Sequence, residues 1–195
     1  MRQYCNRCNY PQKTCVCKHV TKVTLPIEVV IIQHPKEAAH AKNTARLIGL
    51  STAQARIVNA ADTEQMAQLK ACLQPYASIL LYPNDGSEAL ESVEKQTRAR
   101  LQQLFVIDGS WKQAYGIVKQ HTWLQSIPAY HFLHAPSTRY RIRHTDIEQG
   151  LSTLEASAYA MHCLYGIDTG PFIRLQAAMQ DNWLGPSHHQ RKTVK

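Results

Sequence analysis

The sequence predicts an α/β fold, with a mainly parallel sheet covered by helices on both faces and a small cysteine-rich element before it. Three observations support this prediction. Short apolar or β-branched runs alternate with helical segments along most of the chain, the segments have the lengths typical of such folds, and four cysteines fall within the first 24 residues. We expect a metal-binding element over residues 1–24 and one α/β domain over residues 25–195.

The strand and helix predictions follow from the local patterns. "IEVVII" is a β-branched run of the buried-strand type, and the segment after it has apolar residues at helical spacing. Three later helices are marked by capping patterns: D-x-x-Q from Asp62, S-x-x-Q from Ser110 and S-x-x-E from Ser152. The predicted strands cover residues 27–32, 55–59, 78–83, 105–108 and 130–134. The predicted helices cover residues 34–50, 62–73, 88–104, 110–120, 152–165 and 171–180.

Charge and apolar content restrict the classes of function. The formal net charge is +8, from 22 lysines and arginines against 14 acidic residues, and this favours a polyanionic partner such as nucleic acid. Surplus charge can also serve solubility alone. No apolar run approaches the roughly 18 residues of a membrane helix, and the N-terminus lacks a secretory signal. We therefore expect a cytoplasmic protein with reduced cysteines and no membrane contact.

The N-terminal cysteines are spaced as a metal site. Cys5, Cys8, Cys15 and Cys17 give C-x2-C-x6-C-x-C, and four thiolates can close a tetrahedral zinc site in a segment with almost no core of its own. Two disulfides or chance clustering are the alternatives. Since sulfur fills all four positions, we expect the zinc to be structural and not catalytic.

Three segments lie where the strands of a parallel sheet end, at the edge where such sheets bind ligands. They are residues 80–87, 106–114 and 150–160. Structural roles are the alternatives for four of these residues. Ser110 and Ser152 could only cap helices, Gly109 could only allow a tight turn, and Trp111 could be a core residue. A carboxylate at Asp108 is costly to bury without a partner, so we predict that it is functional. Trp111 could stack on a nucleobase.

A basic stretch, "STRYRIR", covers residues 137–143. In an extended chain its alternation would send Arg139, Arg141 and Arg143 to one side, with Tyr140 beside them. Basic and aromatic residues together are typical of RNA recognition, although a solvated edge strand would show the same pattern. We interpret the stretch as a phosphate-contacting segment.

Taken together, the motifs resemble the DTW-domain family over nearly the whole chain. The four-cysteine N-terminus, "HPKE", "KNTARL", "LLYP", "DGSW", "YRIR" and "LSTLEA" occur in the order seen in that family, which is named for D-x-T-W. The threonine of the name motif is Ser110 here, and it keeps the hydroxyl group. The resemblance implies a SPOUT-like fold, in which the chain can be knotted near its C-terminal ligand site.

The resemblance also implies a reaction. Bacterial tRNA-uridine aminocarboxypropyltransferases of this family transfer the 3-amino-3-carboxypropyl group of S-adenosylmethionine to N3 of a tRNA uridine in the variable loop and release methylthioadenosine. The partner is then tRNA, and no obligate protein partner is implied. The alternatives are a SPOUT-type RNA methyltransferase and a zinc-knuckle RNA-binding protein without catalysis.

Residue roles are carried over from the matching motifs. The expected catalytic residues are Asp108, Ser110 and Trp111, which share one motif. Asp108 is the candidate general base or a partner of the sulfonium. The helix start at Ser152, or Arg139, could bind the carboxylate of the transferred group. The expected cofactor-binding residues are Leu81, Tyr82, Pro83, Gly109, Leu151, Ser152, Thr153 and Glu155. The expected RNA-binding residues are Lys36, Arg46, Lys112, Arg139, Tyr140, Arg141 and Arg143.

Overall fold

The protein is an α/β structure built on one six-stranded sheet, seen in a computed structural model that describes residues 3–38, 40, 42–142 and 150–183. The strand order is β2-β1-β5-β3-β6-β4, and every neighbouring pair is parallel. The strands are β1 Glu28–Gln33, β2 Ala55–Asn59, β3 Ser78–Leu81, β4 Glu88–Ala89, β5 Gln103–Asp108 and β6 Ala129–His131. The predicted parallel α/β class is confirmed.

Helices cover both faces of the sheet, as predicted. They are α1 Pro35–Ala38, α2 Ala45–Ser51, α3 Thr63–Ala71, α4 Lys95–Arg100, α5 Trp111–Gln120, α6 Thr153–Tyr165 and α7 Gly170–Asp181. One hydrophobic cluster joins α2, α6 and α7 to one face, and a second joins α3 and α5 to the other. We call these faces the α6 face and the α5 face. Within the described part of the chain, none of the helices combines the length and apolar composition needed to cross a membrane.

Two predicted helices differ from the structure. The predicted helix over 34–50 is interrupted between α1 and α2, where Asn43 donates its side-chain amide to the carbonyl of Glu37 and accepts the N–H of Arg46. The predicted helix over 88–104 is replaced by β4, a 3₁₀ turn over Leu90–Ser92, and the short α4. Leu90 is buried against the sheet, so tertiary packing overrides the helical propensity of this segment.

The cysteine-rich element packs directly onto the α/β part of the chain. Cys8, Tyr10 and Val16 belong to the hydrophobic cluster of the α6 face. The hydroxyl of Tyr10 donates to the carbonyl of Asn43 at 3.1 Å, and burial raises the pKa of Tyr10 to about 12. The cysteine-rich element and the α/β part of the chain therefore share one continuous hydrophobic core.

Candidate active site at the carboxyl edge of the sheet

Asp108 is the last residue of β5, and its carboxylate is held from two sides. The residue is only 6% exposed. The amide of Gln33 donates to Oδ2 at 2.7 Å, and the hydroxyl of Thr153 donates to Oδ1. Gln33 is the in-register partner of Asp108 on β1, while Thr153 is the first residue of α6. The carboxyl ends of β1 and β5 and the N-terminus of α6 thus meet at one carboxylate.

Strand alternation explains the direction of this carboxylate. Successive side chains of a strand point to opposite faces of the sheet. On β5, Phe105 packs into the cluster of the α5 face, whereas Leu104 and Val106 pack into the cluster of the α6 face. Asp108 follows Leu104 and Val106 in this alternation and points to the α6 face, where it reaches the N-terminus of α6.

The turn after Asp108 is a capped helix start. Ser110 Oγ accepts the N–H of Gln113 at 3.4 Å, and Gln113 Oε1 accepts the N–H of Ser110 at 2.6 Å. A Cβ on Gly109 would lie 3.0 Å from Cβ of Gln113, so the turn leaves little room for a larger residue. Ser110 therefore has the capping role that the S-x-x-Q pattern predicts. Trp111 is 51% exposed, which excludes the alternative that it anchors the core.

A second capping box, at α6, binds the basic stretch to the site. Ser152 Oγ accepts the N–H of Glu155 at 3.2 Å, and Glu155 Oε2 accepts the N–H of Ser152 at 2.8 Å. The same carboxylate accepts the hydroxyl of Thr138 at 2.8 Å and the N–H of Arg139 at 2.6 Å. On α7, Gln180 accepts the N–H of Arg141 and donates to the carbonyl of Arg139 at 3.1 Å. These bonds clamp residues 138–141 between two helices, α6 and α7.

The alternation predicted for the basic stretch is present in its described part. Arg139 and Arg141 are exposed, whereas Tyr140 and Ile142 are buried. The hydroxyl of Tyr140 donates to the carbonyl of Lys42 inside the protein. Tyr140 is therefore a core residue, and the prediction that it contacts RNA is wrong. Arg143 lies outside the described residues.

The expected cofactor-binding residues at the end of β3 are divided between the two faces of the sheet. Leu81 packs against the cluster of the α6 face, the face of Asp108, but Tyr82 packs against the cluster of the α5 face. Pro83 is exposed. Leu81 and Tyr82 point to opposite faces because neighbouring residues of an extended chain do so. The side chain of Tyr82 therefore lies on the opposite face of the sheet from Asp108.

The other expected RNA contacts have different surroundings. Lys36 and Lys112 are exposed. Leu151, an expected cofactor-binding residue, is half-buried beside the second capping box. The guanidinium of Arg46 lies over the ring of Tyr10, with its central carbon 4.9 Å from the ring centroid. It also donates a hydrogen bond to the carbonyl of Asn9 at 3.2 Å. Arg46 therefore attaches the cysteine-rich element to α2.

The four predicted metal ligands converge on one point. Their Sγ atoms all lie within 4.8 Å of one another, with Cys5 to Cys17 at 3.6 Å and Cys8 to Cys15 at 3.7 Å. A tetrahedral zinc ion with Zn–S bonds of about 2.3 Å requires sulfur atoms about 3.8 Å apart. The arrangement fits a four-thiolate zinc site, and the separations are far too long for disulfides.

The surroundings of these thiols shift their pKa values in opposite directions. Backbone N–H groups of Cys8 and Arg7 lower the pKa of the Cys5 thiol to about 6. Burial and the neighbouring sulfur atoms raise the pKa of the Cys17 thiol to about 12. A bound divalent cation would offset the repulsion among four thiolates, which is the second reason that the cluster suits a metal.

Sequence reasoning missed several polar residues of the site. Gln33 follows a buried run as Asp108 does, so the rule that ligands bind at the carboxyl ends of strands could have found it. Gln176 and Gln180 lie on α7 with no motif to mark them. Gln176 accepts the hydroxyl of Ser152 at 2.7 Å, but its Nε2 is buried and has no hydrogen-bond acceptor within the described residues.

Comparisons with known proteins identify the family and several relatives of this chain. The chain is 28% identical over 169 residues to tRNA-uridine aminocarboxypropyltransferase 2 of Macaca fascicularis, an alignment that covers 84% of this chain and 57% of that protein. It is 28% identical over 180 residues to the protein of the same name from Drosophila melanogaster, covering 89% of this chain and 70% of that protein. The chain thus spans little more than half the length of the macaque relative. No solved structure matches significantly. The model of the DTW domain family matches residues 2–182, and the chain belongs to that family.

Proposed function

We propose that this protein transfers the 3-amino-3-carboxypropyl group of S-adenosylmethionine to N3 of a uridine in the variable loop of tRNA. The family match and the names of the relatives support a tRNA-uridine aminocarboxypropyltransferase. The observation that carries the proposal is the buried carboxylate of Asp108, held by Thr153 at the capped start of α6. It brings the "DGSW" and "LSTLEA" motifs together at the edge of the sheet where ligands bind.

The reaction requires one bond to form and one to break. N3 of the uridine attacks the carbon attached to the sulfonium, the carbon–sulfur bond breaks, and its electron pair neutralises the sulfur as methylthioadenosine leaves. The N3 proton must also leave, and the Asp108 carboxylate is the proposed acceptor. A carboxylate offers about four acceptor sites, so hydrogen bonds from Gln33 and Thr153 are compatible with taking a proton or with stabilising the sulfonium cation.

The transferred group bears a carboxylate, which needs an anion site. The N-terminus of α6 provides one, because its free N–H groups and helix dipole favour negative charge. No acceptor among the described residues binds the N–H groups of Thr153 and Leu154. Arg139, which Glu155 holds beside this helix start, would supply positive charge. Gln176 lies in the same region, because its Oε1 accepts the hydroxyl of Ser152, and its buried Nε2 has no acceptor within the described residues.

We propose the remaining contacts to the co-substrate and the RNA from where each residue lies in the structure. Leu81, Gly109 and Leu151 would contact the adenosine from the α6 side of the edge, and the exposed ring of Trp111 would stack on the target uridine. Glu155 would act indirectly, by positioning the basic stretch. The proposed RNA contacts are Lys36, Lys112, Arg139 and Arg141, with Arg143 as a prediction outside the described residues.

The cysteine-rich element would hold a structural zinc ion. Four sulfur ligands leave no position for water or substrate, so Cys5, Cys8, Cys15 and Cys17 would stabilise the fold without entering the reaction. The element contacts the segment over 42–44, and Tyr140 contacts the same segment from the basic stretch. Zinc would therefore also support the position of the RNA-binding residues. We expect the protein to act on tRNA in the cytoplasm.

An RNA methyltransferase would use the same co-substrate, and its small-molecule product distinguishes the two activities. We would incubate the purified chain with S-adenosylmethionine and unmodified tRNA and identify the product by mass spectrometry. Methylthioadenosine is expected. S-adenosylhomocysteine would instead indicate methyl transfer, and tRNA binding without any product would indicate a binding protein that has no catalytic activity.

A further inference from the structure

A cavity of about 600 Å³ lies on the α5 face of the sheet, the opposite face from the Asp108 carboxylate. The buried side chains of Leu80, Leu124 and Ile127 form an apolar floor, and the exposed residue Lys119 also lines the cavity. The volume is within the roughly 300 to 1,000 Å³ of small-molecule sites. The reaction proposed above makes no use of this cavity.

Two tyrosines stand at the cavity. Tyr115 is 61% exposed, although aromatic rings are usually more buried than this, and Tyr82 is half-buried against the apolar floor. Burial and the nearby hydroxyl of Tyr115 raise the pKa of Tyr82, which agrees with the two side chains standing close together. An apolar floor with two tyrosine side chains in the lining is suited to a flat aromatic group.

The cavity is connected to the carboxyl edge by one stripe of α5. Trp111, Tyr115 and Lys119 are spaced four residues apart, so they lie on one side of the helix, and all three are exposed. The stripe begins at the tryptophan of the "DGSW" motif and ends at the cavity. An aromatic, aromatic and basic sequence of this kind is typical of surfaces that bind single-stranded nucleic acid.

We propose that this cavity is a nucleotide subsite, which binds a tRNA base next to the target uridine between Tyr82 and Tyr115 while Lys119 contacts a phosphate. The net charge of +8 favours a polyanion over a neutral aromatic ligand. Stacking requires no particular base, because every base has a π face. The proposal rests on the proposed function for the identity of the RNA, but its test measures binding without turnover.

The experiment measures binding of a fluorescently labelled unmodified tRNA to the full chain by anisotropy, without S-adenosylmethionine. Tyr115→Ala should weaken binding roughly 5- to 100-fold, and Tyr115→Phe, which keeps the ring, should bind within about two-fold of the original protein. Lys119→Gln should lower the slope of log K against log salt by about 0.7, the value for one phosphate contact on a single strand.

Matched controls come from the amino-terminal edge of the sheet. Tyr76 is 97% exposed, and Lys70 is exposed at the end of α3. Tyr76→Ala and Lys70→Gln should leave both affinity and salt slope unchanged. Circular dichroism would verify that each variant is folded.

The subsite proposal is overturned if Tyr115→Ala binds tRNA as tightly as Tyr115→Phe. It is also overturned if Tyr115→Ala converts a dimer into a monomer in sedimentation, because the stripe would then be an interface between copies. If the original protein modifies tRNA while Tyr115→Ala binds normally, the subsite fails and the proposed function stands. If the original protein binds no tRNA, both fail.

Discussion

Substituting Glu155 by glutamine tests whether this residue positions the basic stretch instead of binding the cofactor. The carboxylate is only 4% exposed and accepts hydrogen bonds from Thr138, Arg139 and Ser152. In Glu155→Gln, an amide oxygen in place of Oε2 can keep the bonds from Thr138 and Ser152. The amide –NH2 then faces the backbone N–H of Arg139, so two buried donors oppose each other.

The cost can be worked out from these contacts. A hydrogen bond to a charged group contributes about 1.5–3 kcal/mol, and one such bond is lost while the other two become weaker neutral bonds. We expect the free energy of unfolding to fall by about 2–4 kcal/mol, a large fraction of the roughly 5–15 kcal/mol typical of a folded domain. Release of residues 138–141 should also weaken tRNA binding.

Urea denaturation followed by circular dichroism measures this change as a shift in midpoint at constant slope. Glu64→Gln on the exposed side of α3 is the matched control, and it should change the free energy of unfolding by no more than about 0.5 kcal/mol. If Glu155→Gln is as stable as this control, the clamp described here does not hold the basic stretch, and the reasoning is refuted.

Three further predictions concern the metal, the reaction and pH. Chelation, or Cys17→Ser, should remove one bound zinc per chain as measured by atomic emission and should lower the melting temperature; a chain purified without zinc at full stability would contradict the structural role. Asp108→Asn should lower kcat by roughly 10²- to 10⁴-fold while tRNA affinity stays within a few-fold, and an unchanged kcat would exclude both proposed roles. Burial alone would raise the pKa of Glu91, but N–H donation by Leu133 and His134 outweighs it, and the pKa is lowered. Its contribution is therefore fully present above its ordinary pKa of 4.5 and is lost as pH falls through the lowered value. Glu91→Gln should be less stable than the original protein in urea at pH 7, and the difference should shrink as the pH is lowered below about 4.5; a difference independent of pH would contradict this assignment.

Local pattern was sufficient for much of the fold. The predicted strand over 55–59 has the observed bounds, and the capping patterns at Asp62, Ser110 and Ser152 each start a helix in the structure. These features depend on nearby residues. The helix predicted over 88–104 is wrong because β4 and the burial of Leu90 depend on distant partners, which a local pattern does not show.

The sequence marks the position of Asp108 in the candidate site but not the residues that contact it. Asp108 is marked by its place after an apolar run, and its burial at the carboxyl edge agrees with that reading. Two hydrogen-bond partners of its carboxylate among the described residues, Gln33 and Thr153, are far away in sequence. The division of Leu81 from Tyr82 could have been predicted, because the alternation of side chains along a strand is a local rule.

The central claim is that the four-carbon chain of S-adenosylmethionine, and not its methyl group, is transferred to a tRNA uridine. The most direct measurement supplies the protein and unmodified tRNA with S-adenosylmethionine labelled with ¹³C either in the aminocarboxypropyl chain or in the methyl group. The tRNA is then digested, and its nucleosides are analysed by mass spectrometry. Our account predicts that label from the chain appears in a modified uridine and that label from the methyl group remains in methylthioadenosine. Methyl label in the tRNA, or no label in any nucleoside, would contradict it.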